Sequence, residues 1–176
     1  MQWQNNMNIK SLLTNSMLAA IALIIFTLES LIPPLIPIQG IKLGLANIVV
    51  VFALYAYGRK DAVFVLIARV LLASLFAGQL TSVLYSISGG LLAVVSMCLI
   101  KKVLSEEYMQ YTSIIGAIFH NIGQILMAIV ITGTIQIALY LPILIAVSLV
   151  TGLFTGLVCK YLYNRLIKLN LLNKGS

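Results

Sequence analysis

The chain has 176 residues, 61% of them apolar and only 9% charged, with a formal net charge of +7. A soluble domain devotes roughly a quarter of its residues to charge, so this composition excludes a water-soluble fold and implies an integral membrane protein. Six helical spans of about 20 residues each would use roughly 120 residues, leaving short loops and tails and no room for a second, soluble domain.

Taken in order, the polar N-terminus MQWQNNMNIK precedes a first helix expected over residues 11–30. Its apolar run is span-length and no small-residue cleavage site follows, so it reads as a retained helix, not a signal peptide. The next stretch, ESLIPPLIPIQGIKLGLAN (29–47), cannot be one continuous helix. Pro33, Pro34 and Pro37 remove backbone donors and clash with preceding turns, and Gly40 relieves the bend. Glu29, Lys42 and Asn47 therefore gather at the mouth of two helices, as the rim of a pocket would. A second helix is expected over 41–57, ending at Gly58-Arg59-Lys60-Asp61, and a third over 62–77, with a tight turn at Gly78-Gln79. The fourth, over 80–100, stops at Lys101-Lys102. A polar connection over 103–111 leads to a fifth helix at 112–132, then a loop or short interfacial piece at 133–138. A sixth helix over 139–163 ends in a basic tail. The expected fold is all-α: a polytopic, compact bundle of six transmembrane helices in a single domain, 1–176.

The charges assign sides. With six spans, Lys10, the pair Arg59 and Lys60, the pair Lys101 and Lys102, and Lys160, Arg165, Lys168 and Lys174 all fall on one face, and only Lys42 falls on the other. The positive-inside rule then places both termini in the cytoplasm, in a multi-pass protein of the cell membrane. Basic residues at the ends of apolar runs are topology signals and anionic-lipid contacts, so no nucleic-acid partner is implied. Cys98 and Cys159 lie far apart inside apolar runs and read as small hydrophobes, neither a disulfide nor a metal pair.

Polar residues inside the spans locate a site. Arg69 falls near the middle of the third helix, where an arginine costs roughly 2.5–3.5 kcal/mol on insertion scales. Glu29 is the one acid at comparable depth. Arg69 can serve to lock the first helix to the third through Glu29, or to receive an anionic group of a ligand. The fifth helix carries His120, Asn121 and Gln124 within about one turn, with Gly116, His120 and Gln124 on one face. Tyr85, on the fourth helix, offers a ring and a hydroxyl. Glu29, Lys42, Asn47, Arg69, Tyr85, His120, Asn121 and Gln124 thus form an expected substrate-binding cup, open to the outside and sealed by apolar cytoplasmic halves. Its cations outnumber its acid, which favours an anionic or zwitterionic small ligand. Gly152 with Gly156, Ala73 with Ala77, and Ser16 with Ala20 are small-residue pairs at four-residue spacing, suited to close helix approach. Ser16, Ala20, Gly152 and Gly156 are the expected partner interface, with packing inside the chain as the default for any single pair.

Much chemistry is excluded. No Walker loop is present, so the chain does not itself hydrolyse ATP. Asp61 is the only aspartate, which rules out an Asp-rich magnesium–diphosphate site. One histidine and two distant cysteines cannot hold a haem pair or an iron–sulfur cluster. No Ser/His/Asp arrangement falls at matching depth, and no internal repeat points to an inverted-repeat carrier. The expectation is a protein that is not an enzyme and has no cofactor or metal of its own.

Four stretches carry a family resemblance: LESLIPPLIPIQGIKLGLANIVVVFALYAYG, IARVLLASLFAG, YSISGGLLA and IFHNIGQ. Over about residues 11–165 the chain resembles the bacterial Gx transporter family, also called heptaprenyl diphosphate synthase component I. That family looks like the substrate-binding S components of energy-coupling factor transporters, small six-helix vitamin-capture proteins. The resemblance implies a transmembrane coupling protein and two ATPases as partners, with ATP used only through them. S components usually present an Ala-xxx-Ala face on the first helix, where this chain has Ser16-xxx-Ala20 and Asn15-xxx-Ala19. The resemblance also leaves an alternative: a non-catalytic membrane subunit associated with polyprenyl diphosphate or quinone metabolism, or with flavin-based electron transfer.

Overall fold

The computed structural model describes residues 9–32, 44–77 and 80–172. They form six α-helices: α1 (Ile9–Glu29), α2 (Asn47–Ala56), α3 (Arg59–Ala77), α4 (Leu80–Ile100), α5 (Met109–Thr132) and α6 (Leu141–Lys168). Short 3-10 helices occupy Glu106–Tyr108 and Ile135–Tyr140, and no strand occurs among the described residues. The proline-rich bend, with Lys42, and the Gly78-Gln79 turn lie outside the described residues.

Four segments are long and apolar enough to cross a bilayer: Ser11–Glu29, Thr81–Ile100, Glu106–Thr132 and Ile135–Lys168. This is a membrane protein. Six helices form as the sequence implies, but only four of them have the length and composition of a span. α2 has 10 residues, about 15 Å at 1.5 Å per residue, half of a hydrocarbon core of about 30 Å. α3 has 19 residues but carries Arg59, Lys60, Asp61 and Arg69.

Several boundaries differ from the sequence expectation. α3 begins at Arg59 and takes the charged run into its first turn, where Asp61 suits the positive end of the helix dipole. α5 starts at Met109, inside the expected connection, and α6 runs on to Lys168 because its basic tail continues the helix. α5 ends at Gly133, whose φ of +67° is the left-handed conformation in which a glycine closes a helix.

Side-chain contacts fix how the helices alternate. At one end Asn15 Nδ2 and Ser11 Oγ, on α1, donate to Asp61 Oδ1 of α3 at 2.6 and 3.2 Å. At that same end Lys101, just past α4, donates to the Leu54 carbonyl near the end of α2 at 2.9 Å and lies over the Tyr55 ring. Lys160 of α6 donates to the Glu107 carbonyl just before α5. The Arg59, Lys101 and Lys160 positions therefore share one end, called here the Gly58 end. Glu29 and Gly133 mark the opposite end.

α2 is the hub and touches α1, α3, α4, α5 and α6. Its sequence, NIVVVFALYA, is apolar on every side after Asn47, as a helix buried all round should be. All its residues except Ile48 and Phe52 are buried. α5 lies between α4 and α6, and glycines make both contacts close. A Cβ at Gly123 would come within 2.8 Å of the Gly89 Cα on α4. At Gly152 and Gly156 of α6, a Cβ would sit 2.6 Å from the Ile114 Cα and 2.5 Å from the Gln110 Cα of α5. This corrects the expectation that Gly152 and Gly156 face a partner: both are buried, and their close-approach face is filled by α5 of the same chain. Ser16 and Ala20, by contrast, are exposed on the outer face of α1, beside exposed Met17 and Ile24.

Replacing Gly152 with leucine should overpack the α5–α6 contact by about 1–3 kcal/mol and lower the thermal midpoint of the purified protein. Leu153→Ala, on the exposed side of the same turn, should stay within about 0.5 kcal/mol of wild type. Equal midpoints for both variants would show that α6 is not seated on α5 through this glycine.

Candidate functional site

The site is built where α2 starts. The first N–H groups of any helix have no partner within it, and here they lie beside α1, where water cannot supply acceptors as it does at a surface. The Glu29 carboxylate, at the last residue of α1, holds the N–H groups of the segment just ahead of them. Its Oε1 accepts from the Gly44 N–H at 2.6 Å and its Oε2 from the Ala46 N–H at 3.4 Å. The Asn47, Ile48 and Val49 N–H groups bond back to the Gly44, Leu45 and Ala46 carbonyls. An anion at a helix N-terminus is also favoured by the helix dipole. Gly44 has φ +82°, a left-handed conformation that glycine adopts without strain.

Asn47, fixed as the first residue of α2, meets Arg69 of α3. Arg69 Nη2 donates to Asn47 Oδ1 at 3.3 Å. The two residues reach the same level because each lies about 15 Å, by helical rise, from the Gly58 turn that joins α2 to α3. Glu29 supplies the opposing charge felt by Arg69.

From the other side come α4 and α5. His120 lies about 16 Å along α5 from its start at Met109, at matching depth. His120 and Gln124 project from one face onto Gly89 of α4. A Cβ at Gly89 would come within 3.0 Å of His120 Nδ1 and 2.9 Å of the Gln124 Cγ. A Cβ at Gly44 would come within 3.0 Å of Asn47 Nδ2, 3.1 Å of His120 Cδ2 and 3.4 Å of His120 Nε2. Two glycines, one on each side, thus let α2 and α4 close around the imidazole.

The layer is buried yet incompletely bonded. Arg69 and His120 are each 3% exposed, Asn47 8% and Gln124 1%. Among the described residues, Asn47 Nδ2, Arg69 Nε, His120 Nδ1 and Gln124 Oε1 have no hydrogen-bond partner. The Gly89 backbone faces the imidazole without completing a bond to Nδ1. Buried polar atoms are almost always paired, and each exception calls for a cause. Gln110 Oε1 and Asn121 Oδ1 are also without partners, but Gln110 lies against Gly156 of α6 and Asn121 turns toward α6.

The structure thus divides the residues expected from the sequence. Asn47, Arg69, His120 and Gln124 come together. Glu29 joins them as the acceptor for the α2 N-terminus. Asn121 turns away: its Nδ2 donates to Ser148 Oγ at 2.7 Å and faces the Leu144 carbonyl at 3.4 Å, so its described bonds clasp α5 to α6. Tyr85 packs among Ile125, Ala128, Ile137 and Leu144, in an apolar cluster where α4, α5 and α6 meet. Lys42 lies outside the described residues. Sequence reasoning missed Gly44, hidden inside an expected second helix. The Gly-x-x-Asn of GLAN was the available signal, since it places a residue free to turn three positions before the new helix start. A small recess of about 10 Å³, room for no more than about one water, lies between α1, α3 and α4 and is lined by Phe26, Val70, Ala73, Ser74, Ser82, Val83 and Ser86. None of the four atoms without partners belongs to its lining. No group of three or more metal-binding side chains occurs among the described residues.

A family model described as heptaprenyl diphosphate synthase component I matches residues 18–162, a stretch that includes every member of this polar layer. The chain belongs to the heptaprenyl diphosphate synthase component I family. No curated protein and no solved structure matches it. In this family member the matched segment begins within α1 and ends within α6, so the match takes in the whole bundle around the site.

Replacing Glu29 with glutamine removes the charge and one of the two strong acceptors at the α2 N-terminus. The loss should be about 1–2 kcal/mol, in the range of a missing N-cap, read as a lower thermal midpoint in detergent; Glu29→Ala should lose more. Unchanged midpoints in both variants would mean that α2 is anchored by other contacts.

Proposed function

We propose that this protein is the membrane-embedded substrate-binding component of an energy-coupling factor type importer, capturing a small water-soluble ligand from outside the cell. The observation that carries the reading is the layer of four buried polar atoms without partners, from α2, α3, α4-facing α5 positions, near half-depth. Polar groups held dry and unpaired in a membrane protein mark a pathway or a binding site, and packing alone gives no reason to retain them. The family resemblance in the sequence points the same way. In this reading all six helices are membrane-inserted, with α2 reaching only part-way, and both termini face the cytoplasm. The shared end of Arg59, Lys60, Lys101, Lys102, Lys160, Arg165 and Lys168 supports that orientation. The protein is a binding subunit and not an enzyme; ATP is consumed by partner ATPases joined through a coupling protein, for which the exposed Ser16 and Ala20 face of α1 is available.

The family description favours a second reading, a non-catalytic membrane subunit of polyprenyl diphosphate metabolism. Asp61, the only aspartate of the chain, is bound by Ser11 and Asn15 at the Gly58 end, away from the layer. It gives no basis for magnesium–diphosphate catalysis, so such a subunit would act by binding alone. A subunit of a flavin-based electron-transfer chain is its nearest variant.

Purification of the tagged chain from its native membrane separates these readings. The importer reading expects a coupling protein and ATPases in stoichiometric yield; recovery of a prenyl synthase or redox subunit in their place overturns it. Topology is checked with a cysteine-free background and single cysteines at Lys60 and Thr134. A membrane-impermeant maleimide added to intact cells should label the second at least tenfold faster than the first, and the reverse order would invert the proposed orientation.

A further inference from the structure

We infer that Arg69 Nε and Asn47 Nδ2 together receive an oxyanion, a carboxylate or phosphoryl oxygen of the captured molecule, while His120 and Gln124 take its other polar end. This rests on the capture reading and adds the chemical class of the ligand. Both atoms are donors, both residues are more than nine-tenths buried, and neither atom has a partner. Their roles follow from the bond between them. Because Asn47 Oδ1 accepts from Arg69 Nη2, the amide cannot be turned over without setting its NH₂ against the guanidinium, donor against donor. Asn47 Nδ2 is therefore left with N–H groups to give. On arginine, Nε–H and one Nη2–H lie along the same edge of the guanidinium plane. The idle Nε–H lies on the edge of the guanidinium next to the Nη2 that reaches Asn47.

Gly44 packs close against these donors: a Cβ there would stand 3.0 Å from Asn47 Nδ2 and 3.4 Å from His120 Nε2, so only a glycine leaves them uncrowded on this side. A ligand ammonium has no acceptor to offer two donors. An oxygen with several lone pairs accepts from both, one N–H coming from Arg69 Nε and one from Asn47 Nδ2. A guanidinium N–H bonds an ionised oxygen more strongly than a neutral carbonyl. Across the layer, His120 Nδ1 and Gln124 Oε1 lie beside Gly89 and offer mixed donor and acceptor capacity. The two halves differ in kind: the α2–α3 side is donor-only and the α4–α5 side is mixed, so the ligand is polar at both ends and acidic at one.

The test uses the full chain, purified from cells grown in rich medium and held in nanodiscs of phosphatidylcholine. Small molecules released by denaturation are identified by mass spectrometry, for wild type and for Arg69→Lys and Asn47→Ala. Arg69→Lys keeps the charge opposite Glu29, so the bundle retains its ion balance, but it loses the planar edge. The expected result is a released compound bearing a carboxylate or phosphate, with occupancy reduced at least tenfold in both variants. In parallel, the Arg69 Nε–H resonance is followed in protein made with isotope-labelled arginine, assigned by its absence in Arg69→Lys, while acetate or inorganic phosphate is added. It should shift downfield, and the Arg59 and Arg165 resonances should not. A released compound without an acidic group overturns the oxyanion assignment and leaves the capture reading standing. A released polyprenyl phosphate or phospholipid upholds the oxyanion assignment and overturns the reading of a water-soluble ligand. No released compound, together with an Arg69 resonance that neither acetate nor phosphate moves, overturns both.

Discussion

The contact on which the rest depends is the Glu29 carboxylate at the head of α2. A helix that starts inside a bundle exposes backbone N–H groups where water is scarce, and each group left unsatisfied in hydrocarbon would cost several kcal/mol. Glu29 meets the Gly44 and Ala46 N–H groups directly. It thereby holds the segment leading into α2, which begins at Asn47, about 15 Å from the Gly58 turn, and whose first three N–H groups bond the Gly44, Leu45 and Ala46 carbonyls. The short helix then sets the level of everything near it. Asn47 is held where Arg69 reaches it, and Gly44 is held against the His120 ring.

α5 is read on two faces, and one residue of offset separates structure from site. Successive residues on an α-helix point about 100° apart, so His120 and Asn121 cannot share a neighbour. Asn121, with Ser148, ties α5 to α6. About two turns nearer the Gly58 end, the Ser113 and Thr155 hydroxyls meet at 2.8 Å and repeat the tie. Gly116, His120 and Gln124 face α4, where Met97 and Gly89 receive them. Ser88 Oγ donates to the Gly123 carbonyl at 2.9 Å and holds α4 and α5 in register. Of the α5 side-chain atoms without a partner among the described residues, His120 Nδ1 and Gln124 Oε1 lie on the α4 face, and Gln110 Oε1 and Asn121 Oδ1 belong to residues that contact α6.

How much of this was legible from sequence follows from what each signal measures. Helix number was readable because long apolar runs broken by Gly, Pro and Lys pairs are a strong pattern. Helix length was less so. Hydropathy cannot distinguish an apolar residue inside a helix from one in a turn leading to it, which is why residues 44–46 were assigned to a helix that starts at Asn47. The level shared by Asn47, Arg69 and His120 could be counted from the basic helix ends, since a fixed rise per residue turns sequence distance into depth. Side-chain direction could not. Counting put Tyr85 and Asn121 beside His120, but the first packs in the α4–α5–α6 apolar cluster and the second against α6. Small residues at four-residue spacing gave the existence of a close contact and not its owner: Gly152 and Gly156 are taken by α5, while Ser16 and Ala20 remain on an exposed face.

The burial of Arg69 is the least expected feature and the most informative. If its purpose were only to join α1 to α3, a guanidinium would be a poor choice, because its several N–H groups must all find acceptors in a region that has few. Here the Glu29 carboxylate makes hydrogen bonds to the Gly44 and Ala46 backbone, and Asn47 Oδ1 takes Nη2, with Nε left without a partner among the described residues. A bundle selected for stability alone would be better served by an apolar side chain at this position, since replacing buried charge by well-packed hydrocarbon is often neutral or stabilising. In the proposed function, a molecule from outside the chain completes the bonding of a cation with a free donor next to an amide with a free donor. Under that proposal the donor surplus in the α2–α3 half of the layer has a cause, an incoming acceptor.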